Sequence, residues 1–299
     1  MIITRLKGGL GNQMFQYATA KSLSLKKKTS LKLDTSFLNE RPLKPNYTIR
    51  NYELGLFNIN AEIANSDDIR KILNRKISFF DIIKIKFNRN SIANYKKPII
   101  QEQGFQFDQN LFKSSENCLI VGYWQSEKYF DDIRPILLKD FSLKSEPDEN
   151  NVKLLKNIST ANSVSIHFRR GDYVSNPLTN QIHGVCNIEY YQKAIEFINH
   201  KVKDPVAFIF SDDIEWAKKN FKTNIPIIFV DKNTSNLSED FRLMSACKHN
   251  IIANSSFSWW GAWLNGNPDK IVIAPEKWFA DVEKNKETVD LVPEKWIRI

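Results

Sequence analysis

Apolar and polar positions alternate in blocks near the start of the chain, and the blocks predict strands and helices. An apolar run over 2–6 predicts a strand, a glycine-rich turn follows at 8–11, a helical pattern covers 14–26, and a second strand is predicted over 30–34. This order is the opening of a nucleotide-binding type of α/β unit. The pattern from 35 to about 113 is irregular and predicts little.

The second half of the chain repeats the alternation more clearly. Apolar runs predict strands at 163–168, 206–211, 225–230, 250–253 and 270–274, and helical spacings fall between them at 189–202, 214–221, 239–248 and 257–264. Such alternation predicts a parallel sheet covered on both faces. The polar stretch 145–151, with Pro147, is the best linker candidate. We therefore expect two facing α/β domains, over 1–150 and 151–299, that bind ligands at the carboxyl ends of their strands.

Composition narrows the class of protein. The 299 residues are 42% hydrophobic, which is enough for packed cores. No apolar run reaches the length of a membrane span or a signal peptide, so we expect a cytoplasmic protein. The three cysteines are far apart and the histidines number four, which favours neither a disulfide framework nor a metal site.

The net charge of +9 is concentrated in one segment. Residues 70–97 carry nine Lys and Arg against the single acid Asp81, and their apolar residues recur every three or four positions. This pattern predicts an amphipathic helix with a basic side. Two interpretations stay open, a solvated helix and a surface that docks on an anionic membrane. No nucleic-acid-binding motif accompanies the charge, so no nucleic-acid partner is expected.

The strongest chemical signal is the end of the strand predicted at 163–168. Side chains alternate along a strand, so His167 and Arg169 share one face, and Arg170 follows where the strand ends. Arginines at a carboxyl strand end suit bidentate binding of phosphate. The alternative is an ion-paired strand end in which Asp172 neutralises Arg170.

A second signal follows the strand predicted at 250–253. A serine at such a junction caps the next helix, whose free N–H groups form an anion site. Three hydroxyls favour phosphate contact over capping alone: Ser255, Ser256 and Ser258. The aromatic residues on the same helix fit packing better than a sugar platform: Trp259, Trp260 and Trp263.

Two further patterns keep alternatives open. Asp212 and Asp213 end a strand and could hold a divalent metal, although Asp212 with Glu215 fits a helix capping box, which we favour. The glycine-rich segment brings backbone close to a ligand, and its amides suit sugar hydroxyls or phosphate. Its residues are Gly9, Gly11, Asn12 and Gln13. Asp34 would serve a dinucleotide oxidoreductase, but the third glycine of that fingerprint is replaced by a methionine.

Taken together, three segments are similar to the bacterial α-1,2-fucosyltransferases of glycosyltransferase family 11. They are Gly8-Gly-Leu-Gly-Asn-Gln-Met-Phe-Gln-Tyr-Ala18, His167-Phe-Arg-Arg-Gly-Asp-Tyr173 and Cys247-Lys-His-Asn-Ile-Ile-Ala-Asn-Ser-Ser-Phe-Ser-Trp-Trp260, with support from 121–130. The resemblance implies a GT-B-like fold of two Rossmann-like domains across a cleft, with the acceptor on the N-terminal side and GDP-fucose on the C-terminal side. It implies an inverting transfer to the 2-hydroxyl of a terminal galactose in a surface glycan such as O-antigen, without metal or cofactor.

The resemblance also implies roles for residues. Arg169 would grip the β-phosphate of the donor, with His167 and Arg170 beside it, and 255–258 would contact the diphosphate. The segment 9–13 would lie across the cleft, and Asp240 would reach guanine.

The general base stays open between Asp172, Glu102, Asp108 and a path without a base. The acceptor would be carried on a lipid at the inner face of the membrane, where 70–97 would dock peripherally. A metal-dependent glycosyltransferase and a non-catalytic carbohydrate-binding module that uses the tryptophans remain as alternatives.

Overall fold

The structure is a computed structural model that describes residues 1–39, 50–74, 92–233 and 237–299. The chain forms two compact units. The first contains Met1–Ser142 and Val289–Leu291, and the second contains Leu143–Thr288 and Val292–Ile299. The basic segment predicted at 70–97 lies outside the described residues from 75 to 91.

The first unit is built around a five-stranded sheet in which all described strand pairs are parallel. Its strands are β1 (Ile2–Arg5), β2 (Leu31–Asp34), β3 (Glu62–Ile63), β4 (Ile99–Gln101) and β5 (Cys118–Val121), in the order β3-β2-β1-β5-β4. Its helices are α1 (Leu10–Lys26), α2 (Ser36–Asn39), α3 (Ser66–Leu73) and α4 (Arg134–Asp140). Short 3-10 helices lie at Leu54–Leu56, Ile92–Lys96, Gln109–Lys113, Glu127–Tyr129 and Asp131–Ile133.

The glycine-rich segment of this unit is the start of a helix rather than an extended loop. Gly8 has a φ of +78° and Gly9 is the N-cap, so α1 begins at Leu10. A side chain at Gly8 would meet Asn12 at 2.4 Å, and its φ favours glycine. The helix therefore begins four residues before the predicted position, and Gly11, Asn12 and Gln13 belong to its first turn.

The second unit is built around a six-stranded parallel sheet. Its strands are β6 (Asn162–Phe168), β7 (Pro205–Ser211), β8 (Ile227–Phe229), β9 (His249–Ile251), β10 (Val272–Ala274) and β11 (Ile297–Arg298), in the order β11-β10-β9-β6-β7-β8. Its helices are α5 (Glu149–Thr160), α6 (Gly171–Ser175), α7 (Pro177–His183), α8 (Ile188–Lys201), α9 (Ile214–Asn220), α10 (Leu237–Ala246), α11 (Ser256–Leu264) and α12 (Val282–Lys286). A 3-10 helix over Thr288–Asp290 follows α12.

The alternation along β6 sets the two faces of this sheet. Val164, Ile166 and Phe168 are buried in one hydrophobic cluster with residues of α8, which confirms the predicted face. The other face carries a cluster formed by α5, β7 and α10. His167 lies on that second face, because successive side chains of a strand point to opposite sides.

The stretch 145–151, which was predicted as a linker, lies partly in a helix. Asp148 accepts a hydrogen bond from the backbone N–H of Asn151 at 2.9 Å and caps α5, which begins at Glu149. The polar residues of this first turn resemble a loop in sequence because most of them face solvent. The two units divide earlier, between Ser142 and Leu143.

Among the described residues, none of the helices is long and apolar enough to cross a membrane.

Candidate functional site

Two arginines and two aspartates meet at the carboxyl ends of β6 and β7. The strands are parallel with Phe168 opposite Ser211, which places the residues that follow them side by side. Arg169 Nη1 lies 2.8 Å from Asp212 Oδ2, and the backbone N–H of Arg170 donates to Asp212 Oδ1 at 2.8 Å. Arg170 Nε donates to Asp213 Oδ2 at 3.2 Å. Asp212 therefore positions both the Arg169 guanidinium and the backbone that follows it.

The side chains around these pairs restrict the arginines further. The Arg170 guanidinium lies 3.7 Å from the centroid of the Trp216 ring, and that of Arg169 lies 5.3 Å from the centroid of Tyr173. A Cβ at Gly171 would come within 2.6 Å of Asp212 Oδ2, so a larger residue there would disturb the carboxylate. Stacking and ion pairing together hold the two cations at the strand end.

The structure corrects the interpretation of the two aspartates. Asp213, and not Asp212, caps α9, because its Oδ1 accepts from the backbone N–H of Trp216 at 3.3 Å. Asp212 is the ion-pair partner of Arg169. The alternative of an ion-paired strand end is therefore present, but the described partner of Arg170 is Asp213 and not Asp172. The side chain of Asp172 lies outside what the structure describes. Within the described ranges, no group of three or more His, Cys, Asp or Glu could hold a metal ion.

His167 is buried and neutral. It is 5% exposed, its Nδ1 has no hydrogen-bond partner, and its ring lies 5.9 Å from that of Phe257. Burial lowers the pKa of His167 to about 4, helped by the Arg169 charge and opposed by Asp212. A buried ring nitrogen without a partner is costly, so His167 is a candidate ligand contact.

The N-terminus of α11 lies at the end of β9, the other neighbour of β6 in the sheet. Ser255 is the N-cap, but its side chain makes no capping hydrogen bond, and the Ser258 hydroxyl donates to the Ser255 carbonyl at 3.3 Å. Ser256 is half-buried. The first N–H groups of a helix favour an anion, so this turn suits phosphate.

The aromatic residues of α11 belong to the core. The exposed fractions of Trp259, Trp260 and Trp263 are 0%, 0% and 2%, and their rings pack on one another. The packing interpretation is confirmed. A carbohydrate-binding platform made of these rings is excluded, because a sugar cannot reach them.

Asp240 lies on α10, which packs against α11 through Phe241 and Phe257, whose rings are 5.7 Å apart. Asp240 Oδ1 is buried and has no hydrogen-bond partner. Burial raises the pKa of Asp240 to about 7, while a hydrogen bond from Asn233 opposes the shift. Like His167, Asp240 is therefore a candidate ligand contact.

The carboxyl edge of the first sheet is occupied by amides that hold backbone. The Gln13 amide donates to the carbonyls of Gly8 and Asn51 at 2.9 and 2.8 Å and accepts from the N–H of Glu53 at 3.0 Å. Gln125 donates to Asn12 Oδ1 at 2.7 Å. Among the predicted residues of this segment, Gln13 and Gly11 are buried, and Gly9 and Asn12 are half-buried.

The two acidic base candidates of the first unit also hold backbone. Glu102 accepts from the N–H groups of Tyr123 and Trp124 at 2.5 and 2.7 Å, and burial raises its pKa to about 7. Asp108 caps the 3-10 helix over Gln109–Lys113 and accepts from the hydroxyl of Tyr95.

The dinucleotide alternative depends on Asp34, which is 1% exposed. Asp34 accepts from Arg5 Nε at 2.7 Å and from the N–H of Ser36 at 3.0 Å. An oxidoreductase would need this carboxylate on the ribose of its cofactor. In this structure the Asp34 carboxylate instead binds Arg5 and the backbone directly after β2.

The bracing partners of the arginines were not predicted from the sequence. Asp212, Asp213, Tyr173 and Trp216 were considered for other roles or not at all. A signal was available, since consecutive strands of an α/β unit are often neighbours and charges of opposite sign follow both strands.

The carboxyl edge of this parallel sheet carries two braced arginines, a buried histidine and a helix N-terminus, an arrangement that suits a phosphorylated ligand. The family model of glycosyltransferase family 11 matches residues 1–299. The chain belongs to this family, as the motifs in its sequence predicted, and is a glycosyltransferase.

Several known glycosyltransferases are similar to this chain over most of its length. An O-antigen biosynthesis glycosyltransferase of Escherichia coli is 38% identical and is matched over 94% of this chain and 96% of its own length. An α-1,2-colitosyltransferase of E. coli is also 38% identical, over 95% of this chain and 94% of its own. A mouse galactoside 2-α-L-fucosyltransferase is 24% identical and is matched over 92% of this chain and 67% of its own length. Among solved structures, Arabidopsis thaliana FUT1 in complex with GDP has 11% identity and a TM-score of 0.49, over 98% of this chain and 74% of that one.

Proposed function

We propose that this protein transfers a 6-deoxyhexose, L-fucose in the first place, from its GDP-sugar to the 2-hydroxyl of a terminal galactose in a surface glycan, with inversion. The observation that carries the proposal is the Arg169 and Arg170 pair braced by Asp212 and Asp213 beside the helix N-terminus at Ser255. The names of the relatives, which include O-antigen, colitosyl and fucosyl transfer, support this substrate class. Two parallel sheets in two units support a GT-B-like arrangement.

The arginines would act on the leaving group. As the bond between the sugar and the β-phosphate breaks, negative charge grows on GDP, and donors that are already in place stabilise this charge. Arg169 would bind the β-phosphate, and Arg170 would support the same site. The α11 turn would supply the hydroxyls of Ser255 and Ser256 and the free backbone N–H groups of its first turn, including that of Ser258, whose own hydroxyl donates to the Ser255 carbonyl. We expect no metal to be needed.

The buried groups without partners would recognise the rest of the donor. His167, neutral at pH 7, would exchange a hydrogen bond with the diphosphate end of the nucleotide. Asp240 Oδ1, which has no partner within the protein, would accept a hydrogen bond from the Watson–Crick edge of guanine. Satisfying two buried polar groups at once would favour GDP over nucleotides without those donors.

The first unit would bind the acceptor. Gly9, Gly11, Asn12 and Gln13 lie at its carboxyl edge, where Gln13 shapes the backbone and Asn12 is half-buried. The candidates for the general base are Asp172, Glu102 and Asp108, and a path without a base is the alternative. The ties of Glu102 to two backbone N–H groups favour a positioning role for Glu102.

A second donor is favoured by one observation. The colitosyltransferase is 38% identical to this chain over nearly its full length, which exceeds the identity of the mouse fucosyltransferase. GDP-colitose, which lacks the 3-hydroxyl of fucose, is therefore the second candidate.

The location of the protein belongs to the same proposal. We expect a cytoplasmic protein that docks on the inner face of the membrane through 70–97 to reach a lipid-linked acceptor. Vesicles rich in anionic lipid should retain the protein at low salt and release it at high salt. Equal retention by neutral vesicles would contradict electrostatic docking on the membrane through 70–97.

The experiment that tests the activity compares GDP-fucose, GDP-colitose and GDP-mannose as donors, with galactosides as acceptors, followed by linkage analysis of the product. Activity should persist in excess EDTA. Asp212→Asn should lose about tenfold or more in kcat through misplacement of Arg169. Transfer that depends on an added divalent metal would contradict the proposal.

A further inference from the structure

The carboxyl end of β1 in the first unit carries a lysine without a charged partner. Lys7 follows β1 closely in the chain and is half-buried, and its Nζ lies 4.1 Å from the centroid of the Tyr123 ring. Within the described ranges, this ammonium makes no ion pair and no hydrogen bond. Burial lowers the pKa of Lys7, and the charge of Glu102 opposes the shift. A cation that is partly removed from water without a partner is costly, so a ligand that accepts hydrogen bonds would stabilise it.

Lys7 lies where the strand order of the first sheet reverses. From β1 the chain passes to β2 and β3 on one side of the sheet, whereas β5 and β4 lie on the other side. Ligands of open parallel sheets bind outside the carboxyl ends of the strands at such a point. Tyr123 follows β5, the strand that pairs with β1 on this other side. The contact between Lys7 and Tyr123 therefore spans the crevice in which a ligand of the first unit is expected.

Side-chain amides fix the backbone on both sides of this crevice. Gln16 of α1 is fully buried, and its Nε2 donates to the carbonyls of Lys7 at 3.2 Å and Gly122 at 3.1 Å. Gln16 Oε1 accepts from the backbone N–H of Lys7 at 3.0 Å. Gln125 donates to Asn12 Oδ1 at 2.7 Å and ties the segment after β5 to α1. The backbone that carries Lys7 and the backbone that precedes Tyr123 are thus held in one arrangement.

The turn that carries Tyr123 is held in an uncommon conformation. Trp124 has a φ of +56°, which a residue with a bulky side chain rarely adopts. The Glu102 carboxylate accepts from the backbone N–H groups of Tyr123 and Trp124 and so stabilises this turn. A Cβ at Gly122 would come within 2.4 Å of the Glu102 Cβ, so the segment passes close to Glu102. Backbone strain of this kind clusters at ligand sites.

The carboxylates at this edge favour an uncharged ligand. Glu102 follows β4, and at the start of α1 the backbone N–H of Leu10 donates a hydrogen bond to Glu53. Glu53 Oε2 also lies 4.0 Å from the position that a Cβ at Gly9 would take. An anionic ligand would meet these negative charges, whereas a sugar hydroxyl can accept a hydrogen bond from Lys7.

We infer that Lys7 binds the acceptor sugar, by donating a hydrogen bond from its ammonium to a hydroxyl of the terminal galactose other than the reacting 2-hydroxyl. This role rests on the proposed function, in which the first unit binds the acceptor, and deepens it by naming a residue that selects the acceptor. Tyr123 holds the ammonium in place, because a cation is attracted to the face of an aromatic ring. Loss of the ammonium therefore weakens acceptor binding and leaves the GDP site of the second unit unchanged.

Lys7→Met is the variant that tests this role, because methionine keeps an unbranched apolar side chain beside Tyr123 and removes the donor. The matched control is Lys139→Met, at an exposed lysine on α4 of the same unit. The measurements are KM for the galactoside and kcat at saturating GDP-fucose, GDP affinity by calorimetry, and the melting temperature as the check of folding.

We expect Lys7→Met to raise KM for the galactoside about tenfold or more, the effect of losing a hydrogen bond from a charged group. Its GDP affinity should stay within about twofold of the parent, and Lys139→Met should change neither quantity. Lys7→Arg keeps a cationic donor and should recover part of the loss in acceptor binding.

Acceptors that lack one hydroxyl identify the partner of Lys7. The 3-, 4- and 6-deoxygalactosides should be compared in the parent and in Lys7→Met. One of them should lose about tenfold or more in kcat/KM with the parent. The same acceptor should lose little with Lys7→Met, because two changes that remove one interaction are not additive.

Two results would overturn the inference. One is a KM for the galactoside within about twofold of the parent in folded Lys7→Met, which would mean that Lys7 only packs on Tyr123. The other is an equal penalty for each deoxy acceptor in the parent and the variant. Failure of the proposed function looks different, because the parent itself would then transfer no sugar from a GDP-sugar to a galactoside, and the role of Lys7 would fall with it.

Discussion

The carboxyl edges of the two sheets share one architecture and differ in chemistry. In the second unit the edge carries Arg169 and Arg170, each held by a carboxylate, together with His167, whose ring nitrogen has no partner. In the first unit the equivalent edge carries Gln13 and Glu102, whose polar atoms bind the protein's own backbone. The edge of the second sheet thus holds two charged guanidinium groups and a ring nitrogen without a partner. The edge of the first sheet uses its polar groups to hold loop backbone.

The difference shows how a parallel sheet acquires a function. The fold supplies a place where strand ends meet, and the residues just after the strands decide what that place binds. Braced cations suit a diphosphate, because their orientation is fixed before the ligand arrives. The hydrogen-bonded network of the first edge suits a sugar acceptor, which is uncharged.

The largest effect should come from Arg169→Ala. Loss of a donor that stabilises the transition-state charge typically costs about 10² to 10³-fold in rate, or about 3 to 4 kcal/mol. The measurement is kcat for transfer from GDP-fucose, with the melting temperature as a control for folding. Near-normal turnover in a folded variant would contradict the proposed difference between the two sheet edges, since Arg169 would then not contribute to catalysis.

His167 should make stability depend on pH. Its pKa is about 4 in the folded protein against 6.5 for the ordinary imidazole, so the unfolded chain binds more protons between those values. Its stabilising contribution is complete above pH 6.5 and is lost as the pH falls toward 4, by up to about 3 kcal/mol. Urea unfolding of the parent and of His167→Gln across this range should diverge. Parallel curves would mean that His167 is not buried as a neutral group.

Glu102→Gln should lower stability more than activity. The amide group offers one oxygen where the carboxylate offers two, so one backbone N–H of 123–124 loses its acceptor at a cost of about 1 to 3 kcal/mol. Denaturant midpoints measure this effect. Glu62→Gln, at a side chain that is 80% exposed, is the matched control and should change the midpoint far less.

The same variant also tests whether Glu102 is catalytic. If Glu102→Gln keeps its stability and loses about 10²-fold or more in kcat, Glu102 is the general base. The first edge would then be catalytic as well.

Asp213→Asn should have the smallest effect. Asparagine caps helices as well as aspartate does, so this change removes only the negative charge that pairs with Arg170. The Asp213 side chain is 42% exposed, so solvent screens this pair. We expect about 0.2 to 1 kcal/mol in unfolding free energy. Asp213→Ala should cost about 1 kcal/mol more by removing the cap. Equal losses in the two variants would show that the ion pair, and not the cap, is the main contribution.

Much of the second unit could be predicted from the sequence because its signals are local. The alternation in 163–168 sets the buried face of β6, and the apolar run before Asn254 places the next helix N-terminus. The first unit was harder, since β4 and β5 have only three and four residues and lie among irregular segments. The equally short strands β8, β9 and β10 of the second unit were predicted because helical spacings separate them in the sequence, whereas the pattern from 35 to about 113 contains no such regular spacing.

Residues that pair across strands could not be assigned in the same way. Asp212 lies more than 40 positions from Arg169 and was interpreted as a helix cap, a role that belongs to its neighbour. Gln13 was interpreted as a ligand contact at a loop tip, but it lies inside a helix and binds 51–53. Both assignments depend on the register between distant segments.

The sequence by itself determined the two α/β halves, the family motifs and the arginines at a strand end, because strand alternation and helix starts are encoded in neighbouring residues. The tertiary structure was needed to show which carboxylates brace the arginines and which amides bind backbone. These facts follow from strand order and register, which arise when segments far apart in the chain pack together.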